Sequence, residues 1–248
     1  MRVQTKLVSA LSLVGREALR IVLPSWCVVC ATELPWRERT ASCCASCWAS
    51  LPKITTVKCN SCSQPAPVEG LPVYVCFNCV RDPLPVDWCD AWGEYRGSLE
   101  RLLHALKFER HDFLDDALAS LLEETIRARG DLAFDAIVAV PMSRTGERRR
   151  GYNQAELLAR ALSCRLGVRC DMTLLARRGR RATQSTLPKR ERRANVKGAF
   201  VASSRVKGTS ILVVDDICTT GETLRACATA LRDAGADRVC AISVAKAS

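Results

Sequence analysis

The segment Asp215-Asp216-Ile217-Cys218-Thr219-Thr220-Gly221-Glu222-Thr223 carries the densest chemistry in the chain. Two adjacent carboxylates precede a turn of threonine and glycine, and an apolar-periodic helix from Leu224 to Leu231 follows. A small-residue turn at a helix N-terminus presents free backbone N–H groups and the positive end of the helix dipole, a natural seat for phosphate. The carboxylates cannot serve that phosphate, because they would repel it. They suit hydroxyl groups, or a cation bound alongside. A ligand with a phosphate next to a polyhydroxyl group satisfies both halves, and a ribose 5-phosphate is the simplest. Ahead of the acids, Ile211-Leu212-Val213-Val214 reads as a buried parallel strand, since strands covered on both faces lose polar alternation. That strand is expected to end where the acids begin. A solvated turn with a threonine cap is the plainer alternative, but it does not account for strand, acids, turn and helix arriving together.

The second chemical signal is a repeat of cysteines. Cys27-x-x-Cys30 and Cys44-x-x-Cys47 are separated by thirteen residues, as are Cys59-x-x-Cys62 and Cys76-x-x-Cys79. Each ligand of the first unit maps onto the second by adding 32. Cys43 maps onto Val75 by the same offset, so Cys44 is the ligand and Cys43 a bystander. Two residues between cysteines let both sulfurs of a tight turn reach one metal, and two such knuckles complete a tetrahedral thiolate site. The eight cysteines therefore predict two zinc ions. Four sulfurs fill each site and leave no position for a reactive water, so these zincs are structural. Consecutive knuckles can pair in tandem, or first with third and second with fourth; the spacing leaves both open. Metal binding would supply much of the folding free energy of segments this short and turn-rich.

The elements that must position these groups lie beyond Asp90. Ala91 to Tyr95 reads as a strand, with a helix from Gly97 through Phe108 and a second from Phe113 to Ala128. Asp135 to Val140 is a strand stopped by Pro141, Asn153 to Leu166 a helix, and Asp171 to Ala176 a strand. A last strand, Arg238 to Val244, follows the phosphate-turn helix. This alternation predicts an α/β fold: an open, mostly parallel sheet with helices on both faces, preceded by a small zinc module. Ligands in such sheets sit at the carboxyl ends of the strands, which brings Pro141-Met142-Ser143-Arg144 beside Asp215 and Asp216. The expected organisation is a helix over residues 1–23, a double zinc-binding module over 24–89, and the α/β domain over 90–248. Leu7, Leu11, Val14, Ala18 and Ile21 give the first segment an amphipathic spacing. It is too short and too charged to span a membrane, and no small-residue cleavage site makes it a signal peptide.

Charge is concentrated rather than spread. Of a net +11, residues 144–150 contribute +3 and residues 177–193 contribute +7, which points to a phosphate-rich ligand or a nucleic acid. The segment Arg177 to Lys197 has no apolar period and reads as a basic loop on the ligand side. Fifteen cysteines in metal-type spacing or scattered as single thiols argue for a reducing compartment, the cytoplasm. His104 and His111 are the only histidines. They read as helix decoration, because eight cysteines already fill the metal sites.

The window from Ile211 to Leu224 resembles the phosphoribosyl pyrophosphate (PRPP) motif of type I phosphoribosyltransferases. The resemblance implies that Asp215 and Asp216 hold the ribose hydroxyls while Thr219 to Thr223 wrap the 5-phosphate, with Ile217 and Cys218 part of the same PRPP-binding segment. It implies Mg2+ bound with PRPP, and a basic loop that carries cations to the pyrophosphate. Met142, Ser143, Arg144, Arg190, Arg192 and Arg193 are the expected pyrophosphate contacts, and Arg144 joins the two acids as a candidate catalytic group. Gln184, Leu187, Arg192, Asn195, Val196 and Phe200, with Arg149 to Gln154 and Lys107-Phe108, are similar to the ComF family of competence-associated proteins. That family joins a double zinc ribbon to a phosphoribosyltransferase domain, and the likeness runs from about Pro24 to the end. Two functions are implied: phosphoribosyl transfer to a nucleobase-like acceptor, or non-catalytic binding of single-stranded DNA alongside other DNA-uptake proteins. Aromatic residues make up only 5% of the chain, few for a strand-stacking surface.

Overall fold

The computed structural model describes residues 26–35, 42–68, 70–108, 114–130, 132–178 and 198–247. The expected N-terminal helix, His111 and most of the basic loop, including Arg190, Arg192 and Arg193, lie outside them. Among the described residues the helices are α1 (Ala45–Ala49), α2 (Phe77–Arg81), α3 (Gly97–Phe108), α4 (Leu114–Arg129), α5 (Arg144–Arg150), α6 (Gln154–Leu166) and α7 (Glu222–Asp233). The strands are β1 (Trp88–Glu94), β2 (Ala136–Ala139), β3 (Leu175–Arg177), β4 (Phe200–Ala202), β5 (Ser210–Cys218) and β6 (Arg238–Lys246).

The central sheet has the order β1-β6-β5-β2 with every pair parallel. β5 is central, and Ile211 through Val214 are buried, as an apolar run without alternation requires. Helices α4 and α6 pack side by side against it, while α7 packs on β5, β6 and the small β3–β4 ribbon. The longer helices are held by buried stripes at helical spacing. In α3 the buried residues are Leu99, Leu102, Leu103, Ala105 and Leu106; in α7 they are Leu224, Cys227, Ala228 and Leu231. No helix of the described residues is long and apolar enough to cross a membrane.

Two local expectations are revised. β5 does not end before the acids. Its ladder with β6 continues through Asp215↔Ser243 and Ile217↔Ala245 to Cys218↔Lys246, because β6 runs on and offers partners. The segment from Asp171 makes no central strand. A single parallel bridge, Ile137↔Cys170, extends the sheet, and the Asp171 carboxylate then accepts the Thr173 N–H at 2.9 Å and turns the chain. Leu175–Arg177 pairs antiparallel with Phe200–Ala202 instead. The residues after Ser143 form a short helix. The Ser143 hydroxyl accepts the Gly146 N–H at 3.1 Å and caps α5, which ends at Gly151 in the left-handed region.

Candidate functional site

The acids stand near the C-terminal end of β5, and the Asp215 carboxylate accepts the Asp216 N–H at 2.9 Å. Asp215 looks towards α7. Burial, followed by the charge of Asp216, pushes its carboxyl well above the ordinary carboxylate range. Burial and then the Asp215 charge likewise push up the thiol of Cys227, on the inner face of α7. Asp216 is buried, and the Lys107 ammonium from the last turn of α3 lies 2.7 Å from its Oδ2. That oxygen receives no well-aligned hydrogen bond among the described residues, so the contact with Lys107 is Coulombic rather than directional. Held towards its protonated form beside the unaligned buried oxygen of Asp216, the Asp215 carboxyl gives the pair both donor and acceptor capacity for hydroxyl groups, and a hard cation bound there would displace the Asp215 proton.

Beyond the acids the chain turns at Thr219 and Thr220, both exposed, and Gly221 adopts φ +80° at the start of α7. A Cβ at Gly221 would sit 3.2 Å from the Leu84 side chain, so both the dihedral and the space favour glycine there. The opening turn of the twelve-residue α7 thus points free N–H groups towards Thr219 and Thr220. Behind the turn, the Lys246 ammonium donates to the Thr219 carbonyl.

β2 lies directly beside β5, with Ala139 opposite Val214 and the Val140 N–H on the Val214 carbonyl at 2.9 Å. Met142, Ser143 and Arg144 therefore emerge next to the acids, as the sheet topology predicts. Ser143 is engaged as the cap of α5, whereas Arg144 is exposed. The Asn153 side chain donates to the Val140 carbonyl at 3.0 Å, the Tyr152 hydroxyl donates to the Leu106 carbonyl, and the Arg150 guanidinium covers the Phe108 ring at 4.9 Å. These contacts tie the end of β2 to the end of α3 and hold Lys107 over Asp216. Sequence reasoning noted Lys107-Phe108 only as part of a family likeness; the ion pair is a long-range contact without a local pattern.

The cysteines form two tandem clusters. Cys27, Cys30, Cys44 and Cys47 make one, and Cys59, Cys62, Cys76 and Cys79 the other, with ligand sulfurs within 4.8 Å of one another in each. This settles the pairing in favour of consecutive knuckles. The Cys30–Cys44 and Cys62–Cys76 sulfurs are 3.7 and 3.5 Å apart. Zn–S bonds of about 2.3 Å in a tetrahedron require roughly 3.8 Å between sulfurs, so both sets fit structural zinc. Cys43 stays out of the cluster, buried, with its thiol towards the Cys44 carbonyl at 3.6 Å. Neither cluster recruits His104, whose ring packs 4.8 Å from Phe108.

The second ribbon is docked on the turn that opens α7. Leu84 abuts Gly221, and Arg225 of α7 donates to the carbonyls of Pro83 and Asp82 at 2.8 and 2.7 Å. The first ribbon packs elsewhere, with Cys27 and Leu34 in the main core and the Arg101 guanidinium on the Val28 carbonyl at 3.4 Å.

Comparison with known proteins agrees with both halves. Residues 109–248 match the phosphoribosyl transferase domain family, and residues 18–80 match the double zinc ribbon domain. The chain is 33% identical to "DNA utilization protein YhgH" of Salmonella typhimurium, covering 88% of this chain and 96% of that protein. It is 32% identical to "Competence protein F" of Haemophilus influenzae, over 69% of this chain and 78% of the relative. Among solved structures, an adenine phosphoribosyltransferase of Saccharomyces cerevisiae aligns at a TM-score of 0.38 and 17% identity, covering 57% of this chain and 72% of that one.

Proposed function

The chain belongs to the phosphoribosyl transferase domain family and, with its double zinc ribbon, to the ComF family, and from that premise we propose that it binds PRPP. The observation that carries this reading is the pairing of Asp215 and Asp216 at the end of β5 with the turn that opens α7. The turn from Thr219 to Thr223 holds the 5-phosphate, and the two carboxylates accept the ribose hydroxyls. Met142 and Arg144 face the pyrophosphate, joined by Arg190, Arg192 and Arg193, which lie outside the described residues.

Transfer needs no protein nucleophile. The bond from ribose C1 to pyrophosphate breaks with its electron pair on the leaving oxygen, a nitrogen lone pair of a nucleobase-like acceptor forms the new bond, and the proton of that nitrogen passes to water or to the departing pyrophosphate. Asp215 and Asp216 orient the sugar and face its developing positive charge, while Arg144 faces the departing negative charge. Mg2+, when bound with PRPP, would neutralise pyrophosphate, and the carboxylate oxygens of Asp215 and Asp216 are the donors suited to hold it. The metal-type cysteine spacings and the scattered single thiols support a cytoplasmic setting, where thiols stay reduced.

A second reading has specific support in the names of the relatives, "DNA utilization protein YhgH" and "Competence protein F". Here the domain binds nucleic acid without turnover, its basic segments meeting a single strand and its ribbons meeting other DNA-uptake proteins. Calorimetry with PRPP and Mg2+, followed by a screen of nucleobases for pyrophosphate release, separates the two. PRPP binding with base-dependent release supports transfer. A steeply salt-dependent affinity for single-stranded DNA that ignores PRPP supports the second reading.

A further inference from the structure

Between the second ribbon and the phosphate turn lies a cavity of about 710 Å3, within the range of small-ligand sites. One wall is the turn itself, with Thr220 and Lys246; the other is the ribbon, with Gln64, Tyr74, Phe77 and Asn78. The ribbon wall combines aromatic faces with two side-chain amides, each offering a donor and an acceptor. That is the chemistry that stacks a nucleobase and reads its hydrogen-bonding edge.

Phe77 is the unusual member. It is 71% exposed, and the Arg81 guanidinium lies 5.5 Å over its ring. Phe77 and Asn78 are the two residues between the ligands Cys76 and Cys79, so the metal knuckle pins both. The first ribbon shows what such a knuckle requires. At the equivalent places, 32 residues earlier, it has Ala45 and Ser46 between Cys44 and Cys47. An aromatic ring and an amide are thus not needed to build the knuckle. They occur in the ribbon that borders the phosphate turn and not in the one that packs elsewhere.

We propose that the second zinc ribbon supplies a nucleobase-binding wall to the phosphate site, with Phe77 the stacking surface and Asn78 and Gln64 the edge-reading groups. The first ribbon has no such role. The inference rests on the phosphate-turn reading above. The base can belong to a mononucleotide or to a single strand, and the ribbon recognises the same ring in either.

The test is calorimetry on the full zinc-loaded chain with ribose 5-phosphate, the four nucleoside 5′-monophosphates, and a 5′-phosphorylated single-stranded oligonucleotide. At least one base-bearing ligand is expected to bind about tenfold more tightly than ribose 5-phosphate. Phe77→Ala, which installs the residue of the first knuckle, should remove most of that gain. Zinc content and ribose 5-phosphate affinity should stay unchanged. A gain confined to the monophosphates identifies a free nucleotide as the ligand, and one confined to the oligonucleotide identifies a strand. Full retention of the gain in both Phe77→Ala and Asn78→Ala overturns the proposal, as does ribose 5-phosphate binding with no gain from any base. Failure of ribose 5-phosphate itself to bind removes the phosphate reading, and this proposal falls with it.

Discussion

The Lys107 ammonium lies 2.7 Å from Oδ2 of Asp216, joining the last turn of α3 to the acidic end of β5. The side chains are 18% and 5% exposed, so this is a buried pair whose break strands a charge. Removing one partner of such a pair typically costs ~3–5 kcal/mol. Lys107→Met should therefore destabilise the ligand-free protein by about 3 kcal/mol in chemical denaturation. Adding Asp216→Asn should recover a large part of the loss. Simple additivity of the two substitutions would mean that the pair does not couple.

Asp215 predicts the opposite behaviour from its neighbour. Burial and the Asp216 charge raise its carboxyl above the ordinary 3.8, so the folded state binds a proton that the unfolded state releases. The stabilisation from this group is complete below pH 3.8 and is lost as pH rises through the raised folded value. Asp215→Asn escapes that loss. In ligand-free, Mg2+-free buffer its Tm advantage over the unaltered protein should grow from pH 5 to pH 8. An advantage that shrinks with pH would contradict the assignment.

The zinc clusters predict two zinc ions per chain by elemental analysis. Cys43→Ser should leave that number unchanged, because the Cys43 thiol lies outside both clusters. Cys44→Ser should lower it. A folded, metal-free N-terminal module would rule the centres out.

Arg190, Arg192 and Arg193 lie outside the described residues, and their test is functional. Replacing all three with Ala should weaken PRPP more than ribose 5-phosphate, since only the former carries pyrophosphate. Equal losses for both ligands would mean that the segment supplies general charge alone.

Much of this site was legible because its parts are local. The Val213-Val214-Asp215-Asp216 junction, the Thr-Gly turn and the repeated CxxC spacing each occupy a few consecutive residues, and local chemistry dictates their form. The end of β5 was misplaced because acids at a strand end look like a stop. Only the length of β6 shows that the ladder continues. The antiparallel Leu175–Arg177 ribbon was hidden because its partner, Phe200–Ala202, follows a long basic segment. Lys107 over Asp216 and Leu84 against Gly221 are contacts between distant segments, and no spacing in either segment announces the other. Tandem knuckle pairing was likewise a question of three-dimensional proximity that equal spacings could not decide.

The phosphate turn has its own signature. Thr220→Val keeps shape but removes the hydroxyl, so it should weaken ribose 5-phosphate and sugar-free phosphate ligands alike. Loss of a hydrogen bond to a charged group typically costs ~1.5–3 kcal/mol, roughly ten- to a hundredfold in affinity. An effect limited to ligands that carry ribose would move Thr220 from the phosphate to the sugar.

The central claim is that Asp215 and Asp216 bind the sugar of PRPP, and calorimetry with PRPP and Mg2+ tests it most directly. The unaltered chain should bind. The double substitution Asp215→Asn and Asp216→Asn, verified as folded and zinc-loaded, should lose at least about tenfold in PRPP affinity. Its affinity for inorganic phosphate should stay the same. Undiminished PRPP affinity in that folded double variant would contradict the account and leave nucleic-acid binding as the better reading.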